Sequence, residues 1–307
     1  MINPPILVTG THRSGTTWVG EMLCLSPLAQ YVHEPFAPMN HRSWLSSLPT
    51  VRYLHQPPGT EGPYAQDLQR IVELQPRWLP IFRRAKNLRD VASLVLQAAS
   101  AWQTGRRGGT AVIKDPFSLL SAEWIQERTD AIPIVLVRHP AGFVSSVKRL
   151  QWRLDETWLL CQSELMAGDL EPFRAELADA RDLDIIDHAC LVWRVLNSVV
   201  ARLQSDHPDW RVVRYEDLAL DPVSEFESLY EYCGLQWDES ISDKIATRNS
   251  PANPTDVSQS RPGGTARNSR VAIWTWRERL TAGEIQRVRT ATTDVASHWY
   301  EDAHWWT

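Results

Sequence analysis

Residues Gly10 to Thr17 read GTHRSGTT, and their glycine spacing is that of a loop that binds phosphate-like anions. In such a loop, successive backbone N–H groups and the N-terminus of the following helix surround the anion. A loop that binds ATP also needs a lysine for the β- and γ-phosphates, and Thr16 occupies that position. The cation here is Arg13, inside the loop. The pattern predicts an anion site and argues against ATP as its ligand.

An anion loop of this kind requires a strand before it and a helix after it. Ile6 to Thr9 is a short apolar run that leads into the loop. Behind the loop, Trp18, Met22 and Leu25 recur at helical spacing. Hydrophobic periodicity therefore predicts the local order of strand, loop and helix.

The same order recurs along the chain. Predicted strands cover 31–33, 110–113, 132–137 and 210–214, and predicted helices cover 87–102, 121–128, about 143 onward, 186–203 and 282–299. The run IPIVLV is apolar throughout, as in a strand that a parallel sheet buries on both faces. We therefore predict an α/β fold, with a single P-loop-like domain over residues 1–307 and a central parallel sheet flanked by helices.

Two segments are expected to depart from this regular order. Residues 36–110 follow the second predicted strand and begin with many prolines and aromatic residues. We predict that they form an insertion on the acceptor side, with a short helix near 64–74. Residues 248–273 are polar and rich in Pro, Gly, Asn and Ser, which predicts a lid loop.

Composition argues against several classes of partner and location. The chain has 307 residues and a formal net charge of -5, which is unfavourable for broad binding to nucleic acids or to acidic membranes. Cys24, Cys161, Cys190 and Cys233 form no C-x-x-C pair, so neither a zinc site nor a disulfide framework is expected. No segment has the apolar length of a membrane span, and MINPPILVTG lacks the features of a secretory signal. We expect a cytoplasmic protein that uses no metal, and the sequence leaves its oligomeric state open.

With these features in place, the sequence resembles the sulfotransferases that use 3′-phosphoadenosine 5′-phosphosulfate (PAPS) as donor. The family's 5′-phosphosulfate loop reads Lys or Arg, Ser, Gly, two hydroxyl residues and then an apolar residue. The Arg-Ser-Gly form is common in the carbohydrate branch. The resemblance implies that the product is 3′-phosphoadenosine 5′-phosphate and that the donor is held by Arg13, Ser14, Gly15, Thr16, Thr17 and Trp18.

A second family element is an arginine at a strand end with a serine eight residues later, and the pair holds the 3′-phosphate of the donor. Arg138 and Ser146 in RHPAGFVSS match this element. An arginine fork can bind a phosphate bidentately while a serine hydroxyl donates from the following helix. The resemblance therefore implies a second phosphate site at the end of this strand.

Two further elements complete the resemblance. VVRYEDL is similar to the family segment in which a tyrosine approaches the adenine, which implies that Tyr215 contacts the donor. Without the resemblance, Tyr-Glu-Asp-Leu predicts a helix start that Asp217 caps. GGTARNSR is similar to the last donor-binding loop of the family, where either Arg267 or Arg270 covers the 3′-phosphate.

Sulfuryl transfer is an in-line displacement that needs positive charge at the leaving group and a base for the acceptor proton. Arg13 meets the first need. Glu34 in HEPF is the preferred base, because it ends the next strand at the edge of the loop and similar carbohydrate-type and heparan-type enzymes place a glutamate there. His33 is the alternative base and His12 a weaker one, and strand alternation points His33 away from Glu34. Lys114, at another strand end, is expected to contact the sulfonate or the acceptor.

The sequence leaves the acceptor open between a sugar and another small-molecule or lipid alcohol. Two rival functions remain at this point. A P-loop kinase or nucleotide-binding protein would bind ATP and Mg²⁺ through the same loop. A non-catalytic relative would keep the PAPS loop, and this reading is favoured if Glu34 points away from it.

Overall fold

The computed structural model describes residues 3–255 and 266–306. Its strands are β1 Ile6–Gly10, β2 Ala29–His33, β3 Thr110–Lys114, β4 Ile132–Val137 and β5 Arg211–Arg214. They form one five-stranded parallel sheet with the order β2-β3-β1-β4-β5. In register, Ile113 of β3 lies opposite Leu7 of β1 and Val32 of β2. The predicted α/β fold with a central parallel sheet is confirmed.

Helices connect and flank these strands. In chain order they are α1 Thr16–Leu23, α2 Ala65–Val72, α3 Trp78–Arg83, α4 Leu88–Arg106, α5 Ala122–Thr129, α6 Pro140–Leu150, α7 Thr157–Leu160, α8 Ser163–Ala167, α9 Arg174–Ala178, α10 Ile185–Asp206, α11 Tyr215–Leu220, α12 Pro222–Tyr232, α13 Glu239–Arg248, α14 Ser269–Ala272, α15 Trp276–Arg279, α16 Ala282–Ala296 and α17 Ala303–Trp306. Short 3₁₀ helices cover Pro116–Ser121, Glu171–Phe173 and Ala180–Asp182. Within residues 3–255 and 266–306, no helix combines the length and the apolar character that crossing a membrane requires.

The burial of each strand matches its place in the sheet. β1 and β3 are buried along their whole length, and β4 is buried from its second residue onward. These three strands occupy the interior of the strand order, where apolar residues on both faces are covered. β2, at one edge, instead alternates between buried and partly exposed positions. The apolar run IPIVLV was therefore a reliable indication of a central strand.

The helix after β4 begins earlier than predicted. The sequence pattern placed its start near Phe143, whereas α6 begins at Pro140. Proline suits the first helical position, because its fixed φ fits the helix and its missing N–H is not needed there. His139 completes the start, since its Nδ1 accepts a hydrogen bond from the Ala141 N–H at 3.2 Å. The helical periodicity of the apolar residues is clear only after this first turn, so it gave too late a boundary.

The segment between β2 and β3 holds residues 36–109, and the role of residues 36–110 as an insertion on the acceptor side stays a prediction. This segment contains α2, α3 and α4, and α4 runs from Leu88 to Arg106, longer than the predicted helix over 87–102. Residues 256–265, the middle of the predicted lid loop, lie outside the described residues. On either side of them, α13 ends at Arg248 and α14 begins at Ser269.

The described residues divide into two compact units, each built from several chain segments. The first unit comprises residues 3–9, 16–134 and 226–241. The second unit comprises residues 10–15, 135–225, 242–255 and 266–306. The two units are described separately below. The expectation of a single domain stays a prediction.

Candidate functional site

In the second unit, the loop after β1 adopts backbone conformations that favour glycine. φ is +136° at Gly10, +66° at Arg13 and +102° at Gly15. A Cβ atom on Gly10 would lie 2.3 Å from the carbonyl oxygen of Leu136, and one on Gly15 would lie 2.7 Å from the Tyr215 ring. Both glycines are therefore required by close packing as well as by φ.

Arg13, Arg138 and Ser146 lie together, although they are far apart in the sequence. Nε of Arg13 donates a hydrogen bond to Oγ of Ser146 at 3.0 Å. Nη1 of Arg138 donates to the carbonyl oxygen of Arg13 at 2.9 Å. A serine hydroxyl that accepts one hydrogen bond still has its own proton to donate. Three residues predicted to bind a donor molecule thus form one connected cluster.

The ring of Tyr215 is buried, and two guanidinium groups lie against it. Cζ of Arg138 lies 4.9 Å from the ring centroid and Cζ of Arg267 lies 5.2 Å from it. Burial is the main cause that lowers the pKa of Arg138, and the cation of Arg267 acts in the same direction. Within the described residues, Nε of Arg138 is buried and has no hydrogen-bond partner. An anion would supply both the missing acceptor and the opposite charge.

His139, next to Arg138, is enclosed by aromatic residues from the C-terminal part of the chain. Its ring stacks on Trp276 at 5.2 Å and meets the edges of Tyr300 and Trp305 at 4.9 and 4.5 Å. The main-chain N–H of His139 donates to Oε1 of Glu216 at 3.0 Å, and the Tyr300 hydroxyl donates to Oε2 of Glu216 at 2.8 Å. Burial, followed by neighbouring cationic groups, lowers the pKa of His139 to about 3, so the ring is neutral. Sequence reasoning missed this support, because no local pattern links His139 to residues so distant in the chain.

Asp217 does not cap α11, and this prediction was wrong. Its carboxylate instead accepts from Nε and Nη2 of Arg214 at 2.8 and 2.5 Å. The α11 N-terminus has no hydrogen bond from a capping side chain. A bidentate bond to a cation is stronger than a bond to a neutral N–H, so Arg214 takes the carboxylate.

The two C-terminal arginines occupy different environments. The Arg267 guanidinium lies over the Tyr215 ring, and the main-chain N–H of Arg267 donates to the carbonyl oxygen of Arg248 at 2.9 Å. Arg270 is exposed on the short helix α14. The structure therefore brings Arg267 into the cluster with Arg138, whereas Arg270 faces solvent.

Inside the loop, Ser14 closes a turn on Thr11. The Ser14 N–H and hydroxyl both donate to the Thr11 carbonyl oxygen, at 3.2 and 2.6 Å. The Thr11 hydroxyl is buried and has no hydrogen-bond partner among the described residues. His12 is buried between Phe143 and Trp152, with ring centroids 5.0 and 4.1 Å away. His12 is thus a packing residue of the second unit.

In the first unit, α1 begins with the remaining predicted loop residues. Thr16 is buried and Thr17 is partly exposed at the helix start. Trp18 is almost fully buried and packs edge-on against Phe226 at 5.3 Å. The Trp18 indole therefore belongs to the core, and any contact with a ligand would involve its main chain.

Glu34 and Lys114 pair at the ends of β2 and β3 in the first unit. The Glu34 N–H donates to the Lys114 carbonyl oxygen at 2.7 Å, and Nζ of Lys114 donates to Oε1 of Glu34. The Lys114 side chain is fully buried. Burial would raise the pKa of Glu34, but the ammonium of Lys114 and the His33 ring outweigh it, so the pKa lies below its ordinary value. Glu34 is therefore a carboxylate at neutral pH.

Asp115 holds the turn that follows Glu34. Its two carboxyl oxygens accept from the N–H groups of Phe36 at 2.5 Å and Phe117 at 2.9 Å. The residue is fully buried, and burial followed by the Glu34 charge raises its pKa to about 8. Sequence reasoning selected Lys114 and not Asp115. The available signal was an acidic residue directly before proline at a strand end.

His33 is 54% exposed at its side chain and lies beside Glu34. Nε2 of His33 is 3.9 Å from Oε2 of Glu34. Strand alternation was expected to separate the two side chains, but Glu34 has a φ of +43° and lies beyond the end of β2. Partial burial and the ammonium of Lys114 lower the pKa of His33 to about 4, so the ring is neutral at pH 7. A neutral imidazole with so low a pKa is a weak base.

Between residues 3 and 255 and between 266 and 306, no three His, Cys, Asp or Glu side chains lie close enough together to hold a metal ion. The predicted site residues thus form two groups, the arginine cluster within the second unit and the carboxylate–ammonium pair within the first.

Comparison with known proteins gives a family match over most of the chain. A model described as "Sulfotransferase family" matches residues 4–239. Carbohydrate sulfotransferase 1 of Danio rerio is 30% identical over 170 residues, which cover 53% of this chain and 36% of that protein. The chain thus matches about a third of the length of this curated relative.

Several solved structures of sulfotransferases match the chain at low sequence identity. The sulfotransferase domain from the curacin biosynthetic pathway has a TM-score of 0.49 and 15% identity, and the match covers 97% of this chain and 98% of that one. The sulfotransferase domain of the Synechococcus PCC 7002 olefin synthase has a TM-score of 0.48 and 18% identity, with 98% and 97% covered. Sulfotransferase STF9 from Mycobacterium avium has a TM-score of 0.45 and 15% identity, with 97% and 77% covered.

Proposed function

This chain belongs to the sulfotransferase family, and we propose that it transfers a sulfuryl group from PAPS to a hydroxyl group of an acceptor. The observation that carries the proposal is the cluster in which Arg13, Arg138 and Ser146 meet beside the Tyr215 ring. Cations, a hydroxyl donor and an aromatic ring suit a nucleotide that carries two separate phosphate groups.

The residues of the second unit fit this donor. Nε of Arg138 is buried and has no hydrogen-bond partner among the described residues. The Thr11 hydroxyl in the loop is also buried and has no hydrogen-bond partner among these residues. In our proposal Arg138 and the Ser146 hydroxyl bind the 3′-phosphate, with Arg267 as a further cation. Tyr215 contacts the adenine. The 5′-phosphosulfate is bound by Arg13, Ser14 and the main-chain N–H groups of Gly15, Thr16, Thr17 and Trp18.

The same loop would stabilise the leaving group. As the bond between sulfur and the bridging oxygen breaks, negative charge grows on the phosphate side. Arg13 and the loop N–H groups supply positive charge and hydrogen bonds for that oxygen without reorganisation, because φ at Gly10, Arg13 and Gly15 already sets their directions. Their contribution is electrostatic and involves no proton transfer.

We assign the base to Glu34. In this assignment Glu34 takes the proton of the acceptor hydroxyl while the acceptor oxygen forms its bond to sulfur, and 3′-phosphoadenosine 5′-phosphate leaves. Glu34 and the neutral His33 ring can each accept a proton at neutral pH. We prefer Glu34 because its side chain pairs with Lys114 at the ends of β2 and β3, whereas the His33 side chain is 54% exposed.

Lys114 would regulate how strong a base Glu34 is. Paired with Lys114, Glu34 has a lowered pKa and holds a proton weakly. If the ammonium turns to an oxygen of the sulfonate, Glu34 loses that partner and its burial raises its pKa. Lys114 would then neutralise the transferring group and strengthen the base in one movement.

The acceptor class is a proposal as well. The Danio rerio relative is named a carbohydrate sulfotransferase, which supports a sugar hydroxyl, but the match covers 36% of that protein. We retain small-molecule and lipid alcohols as acceptors, with residues 36–110 as the segment that selects among them. Cys24, Cys161, Cys190 and Cys233 are all free thiols, which supports a reducing compartment such as the cytoplasm, and cell fractionation tests that location.

Labelled-sulfate transfer tests the proposal. The full chain is incubated with labelled PAPS and a panel of sugars, phenols and lipid alcohols, and the products are separated by chromatography. We expect label on one acceptor class with the wild type and none with Glu34→Gln. Label transferred equally well by Glu34→Gln would refute the assigned base.

A further inference from the structure

The helix α4, Leu88–Arg106, is held to the protein by one face. Asp90 on that face is buried and accepts from Nε of Arg42 at 3.1 Å. Further along, Gln97 accepts from the indole N–H of Trp44 at 3.2 Å. These anchors lie on the side of the helix that also buries Leu94, Ala101 and Thr104. These contacts hold one face of α4 against the protein, so the opposite face points away from it.

The opposite face of α4 is apolar and exposed. Leu88 is 87% exposed, Leu96 is 71% exposed and Trp102 is 60% exposed. Val91 and Val95 are exposed to 38% and 52%. Leu88, Val91, Val95 and Trp102 follow one another at three-, four- and seven-residue spacing, and Leu96 lies next to Val95. Together these side chains cover one exposed side of the helix, about 20 Å long. No charged residue occurs between positions 91 and 104. A continuous apolar stripe of this size on a protein surface marks a site of interaction.

Exposed cations precede and follow this stripe in the sequence. Residues 77–107 contain seven basic residues and one acidic residue, in a chain whose formal net charge is -5. The acidic residue is Asp90, which is buried in its ion pair. The exposed cations are Arg77, Arg83, Lys86, Arg89, Arg106 and Arg107. The charge of this surface is therefore opposite in sign to that of the chain as a whole.

We propose that α4 docks on an anionic lipid bilayer, parallel to its surface. An exposed apolar stripe with lysine and arginine at its margins and a tryptophan near one end has the chemistry of an interfacial helix. The apolar side chains would enter the boundary between headgroups and acyl chains. The cations would contact lipid phosphates. Arg106, which lies 4.8 Å over the Trp102 ring, would reach the headgroups above it.

Charge favours a bilayer over a second copy of the chain as occupant. Two copies that met through this stripe would bring their surrounding cations close together, without exposed carboxylates in residues 77–107 to pair with them. Repulsion of this kind weakens self-association. An anionic bilayer offers both missing features, an apolar layer for the stripe and negative charge for its margins.

The proposal does not depend on the sulfotransferase function, but it adds to it where both hold. A chain docked through α4 would meet acceptors that are carried by lipids at the bilayer surface. Among the acceptor classes above, it therefore favours a hydroxyl on a lipid headgroup.

Vesicle co-sedimentation of the full chain tests the docking. The probes are phosphatidylcholine vesicles and vesicles of phosphatidylcholine mixed with phosphatidylglycerol, each at low and high salt. We expect at least about tenfold more binding to the anionic vesicles, with loss of binding at high salt because the charges are screened. Leu96→Glu should abolish the binding, and the double variant Lys86→Glu, Arg107→Glu should weaken it as strongly as high salt does.

Leu220→Glu is the matched control, because Leu220 is an exposed leucine outside this segment, at the end of α11. It should bind vesicles as the wild type does. Thermal melts check that each variant is folded. Quenching of tryptophan fluorescence by brominated lipid gives a second readout, and we expect Trp102→Phe to reduce it. Wild-type protein that stays in the supernatant, or Leu96→Glu that still binds, would overturn the proposal. The proposal would also be overturned if the wild type sedimented as a dimer and Leu96→Glu sedimented as a monomer.

Discussion

Nε of Arg13 donates a hydrogen bond to Oγ of Ser146 at 3.0 Å across 133 positions of sequence. The bond joins the anion loop to the middle of α6 within the second unit. Arg138 closes the connection, because it donates to the carbonyl oxygen of Arg13. The contacts proposed for the two phosphate groups of the donor are therefore coupled before any ligand binds.

Ser146→Ala should weaken binding of 3′-phosphoadenosine 5′-phosphate by roughly tenfold or more. The variant removes a hydroxyl that accepts from Arg13 and that we propose donates to the 3′-phosphate, and a hydrogen bond to a charged group is worth about 1.5 to 3 kcal/mol. Isothermal titration calorimetry measures the change. Ser145→Ala is the control, since the Ser145 hydroxyl donates to the Gly142 carbonyl oxygen within α6. Equal affinities for the two variants would exclude a role for Ser146 in donor binding.

Gly15→Ala should be far more harmful than Gly59→Ala. Both glycines have positive φ, +102° and +76°, so alanine is strained at each. At Gly15 the new Cβ would also lie 2.7 Å from the Tyr215 ring, whereas at Gly59 it would meet no atom within 4 Å. We expect Gly59→Ala to cost about 1 kcal/mol and Gly15→Ala to cost more and to displace Tyr215. Denaturant unfolding and nucleotide titration of both variants would reveal the difference, and similar losses would contradict the packing at Tyr215.

Glu34→Gln should lower stability at neutral pH by about 2 kcal/mol, because it removes the charge that pairs with the buried ammonium of Lys114. The pKa of Glu34 is lowered in the folded state, so the pair stabilises the fold above the ordinary carboxyl pKa. That contribution is lost as pH falls through the lowered pKa. In urea unfolding, the difference between variant and wild type should therefore stay constant from pH 7 to about pH 5 and shrink as the pH falls further.

The comparison for this effect is Glu176→Gln. Glu176 pairs with Arg194 at 2.7 Å, but about half of its side chain is exposed. An exposed pair is worth under about 1 kcal/mol, so Glu176→Gln should change stability little at any pH. A Glu34→Gln effect that is equally small, or that grows as pH falls, would show that Glu34 and Lys114 are not coupled in this way.

In the transfer assay, Glu34→Gln should reduce kcat by roughly 10² to 10⁴ and leave donor affinity unchanged, because a general base contributes a factor of that size. His33→Asn should keep most of the activity, since the pKa of His33 is about 4 and the ring is half exposed. The split between kcat and the dissociation constant of the donor checks the assignment. A larger kcat loss in His33→Asn than in Glu34→Gln would move the base to His33.

The central strands and the position of Arg138 at the end of one of them were predictable because their signals are local. An apolar run such as IPIVLV identifies a buried strand, and Arg138 follows it directly. The family resemblance, now confirmed by the match over residues 4–239, added Ser146 through its spacing from Arg138. The contact between Ser146 and Arg13 was not predictable in the same way, since spacing along one helix carries no information about a loop elsewhere in the chain.

The errors and omissions arise where distant residues compete with local rules. Asp217 was expected to cap a helix, but the guanidinium of Arg214 is a stronger partner for its carboxylate. Asp115 was overlooked, because its role becomes visible only when the N–H of Phe36 is brought to it by the turn after β2. The support of His139 by Trp276 depends on the fold of the C-terminal part of the chain.

Calorimetric titration with 3′-phosphoadenosine 5′-phosphate tests the central claim most directly. The wild type should bind this nucleotide more tightly than ATP with Mg²⁺, because the loop lacks the lysine that ATP requires and the cluster offers a second phosphate site. Arg138→Ala should lose at least about tenfold in affinity for it and little for ATP. Wild-type protein that binds ATP with Mg²⁺ but not 3′-phosphoadenosine 5′-phosphate would contradict the assignment of PAPS as donor.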